Sequence, residues 1–279
     1  MSSKRKIFLG LIFLGLLFYP CLLLAETWVV SSYPLYKIFS EIFAEKKLYL
    51  IQPPKGEFHF YEPLPKDWEM IKKAELVAIL GTEPFAKKVY QLVPENKLFS
   101  LKDKDEEVPD PHLWFDLKRL REKLEELMEK RTIKKDPHYL KWKERLQKFL
   151  KELTEIESAY ASLSQCSKKE LYVLGHRVFY YLLKDTGISE NSLVVGHHHG
   201  EITPKRLRAF LLEAQKKKIK GVLLTEWEYL KYSQILEKEG FKIYKVPTGD
   251  QNYEGDFLYL LKFNLKIFQE VLNCEKGEK

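Results

Sequence analysis

The first part of the chain alternates between short apolar runs and segments with helical periodicity. Prolines open two of these helical segments, at Pro65 and Pro84, where the missing N–H has no intrahelical partner to lose. Strands that alternate with helices predict a mostly parallel sheet with both faces covered. The predicted strands are Thr27–Ser31, Leu48–Ile51, Leu76–Leu80 and Lys97–Ser100, and the predicted helices are Tyr36–Phe43, Pro65–Lys73 and Pro84–Leu92.

The middle of the chain carries two charged helical segments, 117–130 and 138–163, and no strand pattern. At about 1.5 Å per residue the second helix would be roughly 40 Å long, about the width of a domain. We expect it to act as a rigid strut between two globular parts. Its apolar positions recur at helical spacing, at Leu140, Leu146, Leu150, Leu153, Ile156 and Tyr160.

Beyond residue 166 the alternation returns and predicts a second sheet. The predicted fold class is therefore α/β: two lobes, each with a mostly parallel four-stranded sheet flanked by helices, joined by a long connecting helix. The expected divisions are a signal peptide at 1–25, an N-terminal lobe at 26–134, the connecting helix at 135–165 and a C-terminal lobe at 166–279. The strands predicted for the second lobe are Leu171–Leu174, Ser192–Val195, Gly221–Leu224 and Lys242–Val246, followed by a last helix at 257–273.

The N-terminal segment has the layout of a secretory signal peptide. Basic residues 4–6 precede an apolar run, and Pro20 and Ala25 precede the first acidic residue. This order predicts export to the periplasm with cleavage after Ala25. An uncleaved membrane anchor is the alternative, since residues 7–25 almost suffice to span a bilayer.

The distribution of charge along the chain indicates which partners the protein can bind. The formal net charge is +7, but Lys and Glu are interleaved along the chain, which indicates a solvated surface and no nucleic-acid partner.

Two cysteines follow the signal segment, Cys166 and Cys274. In an exported protein the expected state is a disulfide, with two separate thiols as the alternative.

Three histidines, His59, His112 and His176, follow apolar runs or lie in the loops after them. The carboxyl ends of parallel strands gather at one edge of a sheet, where ligands bind. Three imidazoles and one carboxylate would complete a tetrahedral shell suited to Zn²⁺. His138, at the start of the long helix, is interpreted as a surface residue.

A run of three further histidines follows the strand predicted at 192–195: His197, His198 and His199. Neighbouring side chains of an extended segment point to opposite faces, so the three cannot readily share one ion. We expect a solvated loop here, and an auxiliary role in collecting metal is the alternative.

Several motifs along the chain carry a resemblance to a known family. They are Ser32-Tyr33-Pro34-Leu35, Gly56-Glu57-Phe58-His59-Phe60-Tyr61-Glu62-Pro63 with Asp67, Leu80-Gly81-Thr82-Glu83, Asp110-Pro111-His112-Leu113-Trp114-Phe115-Asp116, His176-Arg177-Val178-Phe179-Tyr180-Tyr181, and the last helix from Phe257 to Asn264. These motifs resemble those of the zinc/manganese solute-binding proteins of ABC transporters, of the periplasmic zinc-binding type. The resemblance runs from about Trp28 to Leu272.

The resemblance implies a binding protein without enzymatic activity, expected to be a monomer. Such a protein holds one divalent metal ion between its lobes and delivers it to the membrane permease of an ABC transporter. His59 and His112 match the two ligands of the first lobe, and His176 matches the third ligand. A histidine at that third position favours zinc, with manganese as the alternative, because imidazole suits Zn²⁺ whereas Mn²⁺ prefers oxygen.

The fourth ligand implied by the resemblance is an aspartate just after the last strand of the second lobe. In this chain Asp250 lies about three positions later than the family pattern places it. Glu201 and Glu226 are the alternatives, because both follow predicted strands of the same lobe.

A secreted zinc-dependent hydrolase is the alternative function. It would use the same three histidines, leave the fourth position to water and take Glu62 or Glu201 as the base. The sequence lacks a helical His-Glu-x-x-His pair, a nucleophile elbow and a Gly-rich phosphate loop. Metal capture by a shell closed with protein ligands is therefore the favoured interpretation.

Overall fold

The computed structural model describes residues 27–53, 58–194, 202–251 and 253–274. The predicted signal peptide, the run His197–His199 and the alternative ligand Glu201 lie outside these ranges. Within them, no helix is both long enough and apolar enough to cross a membrane.

The first lobe is built on a parallel sheet with the strand order β2-β1-β3-β4. The order reverses between β1 and β3, and in such sheets ligands bind in the crevice beyond the strands' carboxyl ends. The strands are β1 (Thr27–Val30), β2 (Lys47–Leu50), β3 (Leu76–Ile79) and β4 (Leu98–Ser100), and the helices are α1 (Tyr33–Ile42), α2 (Pro65–Lys73) and α3 (Ala86–Leu92).

The middle of the chain is helical, as predicted, with α4 (Leu117–Glu129), α5 (Arg131–Lys134) and α6 (Tyr139–Ala161). The apolar stripe of α6 differs from the prediction at one position, because Leu140 is 76% exposed and Trp142 is fully buried. Trp142 stands one helical turn before Leu146, whereas Leu140 is six residues before it and points away from that face.

The second lobe repeats the arrangement of the first, with the strand order β6-β5-β7-β8 and all strands parallel. The two sheets, the flanking helices and the long helix confirm the predicted fold class. The strands are β5 (Glu170–Leu174), β6 (Ser189–Ser192), β7 (Gly221–Leu224) and β8 (Lys242–Lys245), and the helices are α7 (Tyr180–Leu183), α8 (Pro204–Lys216), α9 (Leu230–Lys238) and α10 (Phe257–Val271).

The strand predicted at Ser192–Val195 is wrong, since β6 ends at Ser192. Strand β6 pairs with β5 alone and lies at the edge of the sheet. An edge strand does not need an apolar sequence, so the polar stretch at 189–192 forms it. The apolar residues Leu193 and Val194 are buried in the loop that follows.

Helix α6 joins the two lobes through a continuous core. It contacts α1 and α4 of the first lobe and α7 and α10 of the second. Trp142 packs edge-on against Trp28 at 5.5 Å, and the Tyr160 hydroxyl donates to the Leu261 carbonyl at 2.9 Å. The expected disulfide is present between Cys166 and Cys274, and it ties the entrance of β5 to the end of α10.

Candidate metal centre

The side chains of His59, His112 and His176 meet in the cleft between the lobes. A ligand nitrogen from each lies within 4.8 Å of those from the other two, so the three could hold a metal ion. The ring centroids are 5.0 to 5.2 Å apart. His112 and His176 come from opposite lobes, and their Nε2 atoms are 3.0 Å apart. The histidines that the sequence singled out are therefore brought together.

His59 lies in a short 3-10 helix, Phe58–Phe60, in the loop after β2. The chain that follows is fixed by the buried carboxylate of Asp67, on the first turn of α2. Asp67 accepts hydrogen bonds from the Tyr49 hydroxyl at 2.7 Å, the Tyr61 hydroxyl at 3.0 Å and the Leu64 N–H at 2.7 Å. Asp67 thus anchors the loop that presents His59.

His112 is completely buried and is oriented by the neighbouring Asp110. One oxygen of Asp110, Oδ1, lies 2.7 Å from His112 Nδ1 and 3.0 Å from its backbone nitrogen. A carboxylate at Nδ1 selects the tautomer that carries its proton there, which leaves the Nε2 lone pair available to a metal ion. The loop itself is held by Thr82, whose hydroxyl donates to the Pro111 carbonyl at 3.0 Å.

His176 is oriented in the same way from the other lobe. Its Nδ1 lies 2.6 Å and its backbone nitrogen 2.7 Å from Oε1 of Glu226, which follows β7. Gly175, whose φ is +155°, makes this close approach possible because it has no Cβ. A Cβ at this position would stand 2.8 Å from Glu226 Oε1 and 2.0 Å from Thr225 Oγ1. Glu226, an alternative fourth ligand in the sequence, is therefore engaged behind the ring of His176.

Asp250 lies near His176, but it is not part of the group of ligand atoms that meet within 4.8 Å. Its side chain is 7% exposed, and its Oδ1 accepts a hydrogen bond from the Thr248 hydroxyl. Asp250 and His176 are near enough for the charge of each to influence the pKa of the other.

The pKa values of His176 and Asp250 each depend on burial and on neighbouring groups that oppose the effect of burial. Burial lowers the pKa of His176, but the carboxylates of Glu226, Asp250 and Glu190 together outweigh this effect and hold the pKa above its ordinary value. Burial raises the pKa of Asp250, against the opposing effects of Thr248 and His176. A cation in the cleft would favour neutral imidazoles and an ionised carboxylate.

The orienting roles of Asp110 and Glu226 were not foreseen from the sequence. Asp110 stands two residues before His112, and this spacing is a usable signal because an aspartate often bonds backbone two residues on. Glu226 is 50 residues from His176, and only the pairing of β5 with β7 brings them together.

Solved structures share this fold. The metal-dependent lipoprotein YcdH from Bacillus subtilis matches with a TM-score of 0.75 and 18% identity, over 88% of this chain and 98% of that one. The Zn(II)-bound ZnuA-like domain of AdcA from Streptococcus pneumoniae matches with a TM-score of 0.74 and 20% identity, over 89% and 99% of the two chains. A Mn-bound periplasmic metal-binding protein from candidatus liberibacter asiaticus gives 0.69 and 17%, over 88% and 99%. The molecule therefore shares the two-lobed α/β fold of these proteins.

The chain belongs to the ZnuA family, described as zinc-uptake complex component A, periplasmic, whose sequence profile matches residues 29–271. A relative, the high-affinity zinc uptake system protein ZnuA of Bacillus subtilis (strain 168), is 23% identical over 278 residues, covering 88% of this chain and 86% of the relative. The predicted resemblance is thereby confirmed. Family membership gives no support to the alternative of a zinc-dependent hydrolase.

Proposed function

We propose that this protein captures Zn²⁺ in the cleft between its lobes and delivers it to the permease of an ABC transporter. The observation that carries the proposal is the meeting of three imidazoles, two of them oriented by buried carboxylates. Imidazole nitrogen is a preferred ligand of Zn²⁺, and oriented rings bind it more tightly. Relatives include a zinc uptake system protein and a Zn(II)-bound domain, which supports zinc as the cargo.

The proposed ligands are His59, His112, His176 and Asp250. Asp250 is the fourth because it is buried next to His176 and has a carboxylate that a turn away from Thr248 would release. A fourth protein ligand closes the shell, as in sites that hold zinc without activating water. Glu226 is the weaker choice, since turning toward an ion would remove its support from His176.

Manganese is the alternative cargo, because one structural relative is Mn-bound. Against it stands the ligand set, in which three of four donors are nitrogen atoms while Mn²⁺ prefers oxygen. A closed shell leaves no position for a reactive water, so the proposed role is non-enzymatic. The further elements of the proposal are export by the segment 1–25 and action as a monomer.

Metal analysis of the purified protein without its signal segment tests the proposal. One equivalent of Zn²⁺ is expected, which Mn²⁺ in excess does not displace. His59→Ala, His112→Ala and His176→Ala should each weaken zinc binding more than about 100-fold, since even groups behind the ligands contribute roughly 10–100-fold. His138→Ala is the matched control, because that ring is 40% exposed and pairs with Asp136 outside the cleft.

Two outcomes would contradict the proposal. Unchanged zinc affinity in the three cleft variants would remove the proposed site. Turnover of an ester, peptide or phosphoester above background by the zinc-loaded protein, lost in the same variants, would revive the hydrolase.

A further inference from the structure

The loop 247–250, which carries Asp250, is held by buried side-chain donors from outside itself. Three of its carbonyl oxygens accept hydrogen bonds from an amide or an indole nitrogen. Asn264 Nδ2 donates to the Pro247 carbonyl at 2.8 Å, Trp114 Nε1 to the Thr248 carbonyl at 2.9 Å and Gln52 Nε2 to the Asp250 carbonyl at 2.8 Å.

Two of these three donors belong to the opposite lobe. Asn264 lies on α10 of the second lobe, whereas Gln52 follows β2 and Trp114 follows His112 in the first. Gln52 is 2% exposed and Trp114 is fully buried, so neither bond competes with bulk water. A buried hydrogen bond that loses one partner costs the desolvation of the group left behind. The contacts therefore fix the loop to the first lobe.

The amide of Gln52 is itself held in a defined orientation. Its backbone N–H donates to the Ser31 carbonyl at 3.1 Å, which extends the pairing of β2 with β1 by two residues. Its Oε1 accepts from the Tyr33 N–H at 3.4 Å, which turns Nε2 toward Asp250. The amide orientation thus follows from the two partners of the side chain.

Trp114 fits against the loop where the backbone leaves no room for a side chain. Gly249 has a φ of +93°, and a Cβ there would stand 3.2 Å from Trp114 Nε1 and 3.2 Å from Leu260. The Trp114 ring also packs edge-on against His112, with centroids 5.1 Å apart. One indole therefore touches a proposed ligand of the first lobe and the loop of the proposed ligand in the second.

We infer that Gln52 is a positioning residue that sets Asp250 in place as the fourth zinc ligand from across the cleft. The inference rests on the proposed function, because it takes Asp250 to be a ligand. Its consequence is that the zinc shell is completed only while the lobes are in contact. Separation of the lobes would withdraw the Gln52 amide, and the backbone of Asp250 would lose the donor that fixes its position relative to the first lobe.

The test is a double-mutant cycle on zinc affinity with Gln52→Met, Asp250→Asn and the double variant. Methionine keeps the length of the side chain and removes the donor. Gln52→Met should weaken zinc binding about 10-fold. It should have less than a 2-fold further effect in the Asp250→Asn background, because residues that act through one another are not additive. Gln147→Met, at an exposed position on α6, is the matched control.

A merely structural role for Gln52 predicts a different result. The effect of Gln52→Met would then be the same in the wild-type and the Asp250→Asn backgrounds, and additivity of the two changes would overturn the inference. An unchanged affinity of Gln52→Met would overturn it as well. The visible absorption of the Co²⁺-loaded protein gives a second readout, since loss of the fourth protein ligand changes a tetrahedral spectrum. Gln52→Met should show that change, and Gln147→Met should not.

The proposed function fails separately from this inference. If the wild-type chain binds no zinc, the proposed function is wrong. If Asp250→Asn binds as wild type, the ligand assignment is wrong and the inference falls with it. If Asp250→Asn weakens binding and Gln52→Met does not, only the inference is wrong. Gln52→Glu serves as a second variant if Gln52→Met does not fold, because it also removes the donor at Nε2.

Discussion

At the scale of single residues, the contacts of Nδ1 in His112 and His176 determine how each ring presents Nε2 to a metal ion. Asp110 and Glu226 each place one oxygen against both the Nδ1 and the backbone nitrogen of a histidine. This double contact fixes the rotation of the ring and the proton at Nδ1 together. His112 and His176 therefore both present their Nε2 atoms to the cleft.

Replacing Glu226 tests this arrangement. Glu226→Ala should weaken zinc binding about 10–100-fold, because the ring of His176 loses its orientation and its Nδ1 partner. Glu226→Gln should lose less zinc affinity, since an amide oxygen can still accept a hydrogen bond from Nδ1 of His176. Calorimetric titration with Zn²⁺ measures the difference, with the exposed Glu237→Ala as the control. An affinity of Glu226→Ala equal to wild type would show that the carboxylate does not orient the ligand.

The sequence predicted the three histidines and missed what surrounds them. His59, His112 and His176 were recognisable because each follows a strand or lies in the loop after one, and strand ends converge in a parallel sheet. Gln52 carries no such signal, because its partner is a carbonyl 198 positions away in the other lobe. Contacts of this kind depend on how the lobes are packed, which periodicity along the chain does not encode.

At the scale of elements, helix α6 is fixed to the first lobe by one aromatic cluster. Trp142 is fully buried, packs against Trp28 and Phe43, and donates from Nε1 to Glu45 at 2.9 Å. Arg145, one turn away, forms two hydrogen bonds to the same carboxylate at 2.7 and 2.8 Å. These contacts align the start of the long helix with α1.

Truncation of Trp142 should therefore destabilise the protein strongly. Trp142→Ala is expected to lower the free energy of unfolding by about 3–5 kcal/mol, as for other buried aromatic side chains. Leu140→Ala on the same helix should change it by less than about 0.5 kcal/mol, because Leu140 is 76% exposed. Urea unfolding followed by circular dichroism measures both. Equal losses in the two variants would contradict the role given to Trp142.

Helices and strands differed in how far the sequence could define them. Helix α6 was predictable because apolar residues recur along many turns of a charged background. Strand β6 was misplaced because the stretch Ser189–Ser192 is polar and the apolar residues follow it. Its strand conformation comes from pairing with β5, a contact between segments that only the folded sheet brings together.

At the scale of the whole molecule, one carboxylate lies where both lobes meet the connecting helix. The charges that act on Glu41 of α1 come from Lys148 and Glu152 of α6, from Asp256 at the N-terminus of α10 and from Lys262 on that helix. Burial, together with Asp256 and Glu152, raises its pKa to about 7, although the two lysines act in the opposite direction. The charge of Glu41 also contributes to raising the pKa of the Tyr253 hydroxyl.

The sign of this shift predicts how stability depends on pH. A carboxyl group with a raised pKa in the folded state binds its proton more tightly when folded, so its contribution is lost as pH rises from about 4.5 to about 7. Glu41→Gln should therefore be more stable than wild type at pH 8 by roughly 1–2 kcal/mol, less than the full shift because water screens part of it. At pH 4 the two should be equal. Thermal unfolding across this range measures the difference.

The control for this prediction is Glu144→Gln, at an exposed position of α6. Its stability relative to wild type should not vary with pH between 4 and 8. A constant difference between Glu41→Gln and wild type over the same range would show that Glu41 ionises as freely as a carboxylate in water.

The connecting helix also limits how the molecule can open. Because α6 contacts α1 and α4 on one side and α7 and α10 on the other, a wide clamshell motion would have to split a continuous apolar core. Exchange of cargo is therefore left to small displacements of the segments that carry the ligands, such as the short 3-10 helix Phe58–Phe60, which holds His59. A transporter that distinguishes the metal-loaded protein from the empty one must then recognise local changes in the surface around the metal site. The angle between the two lobes would not provide that signal.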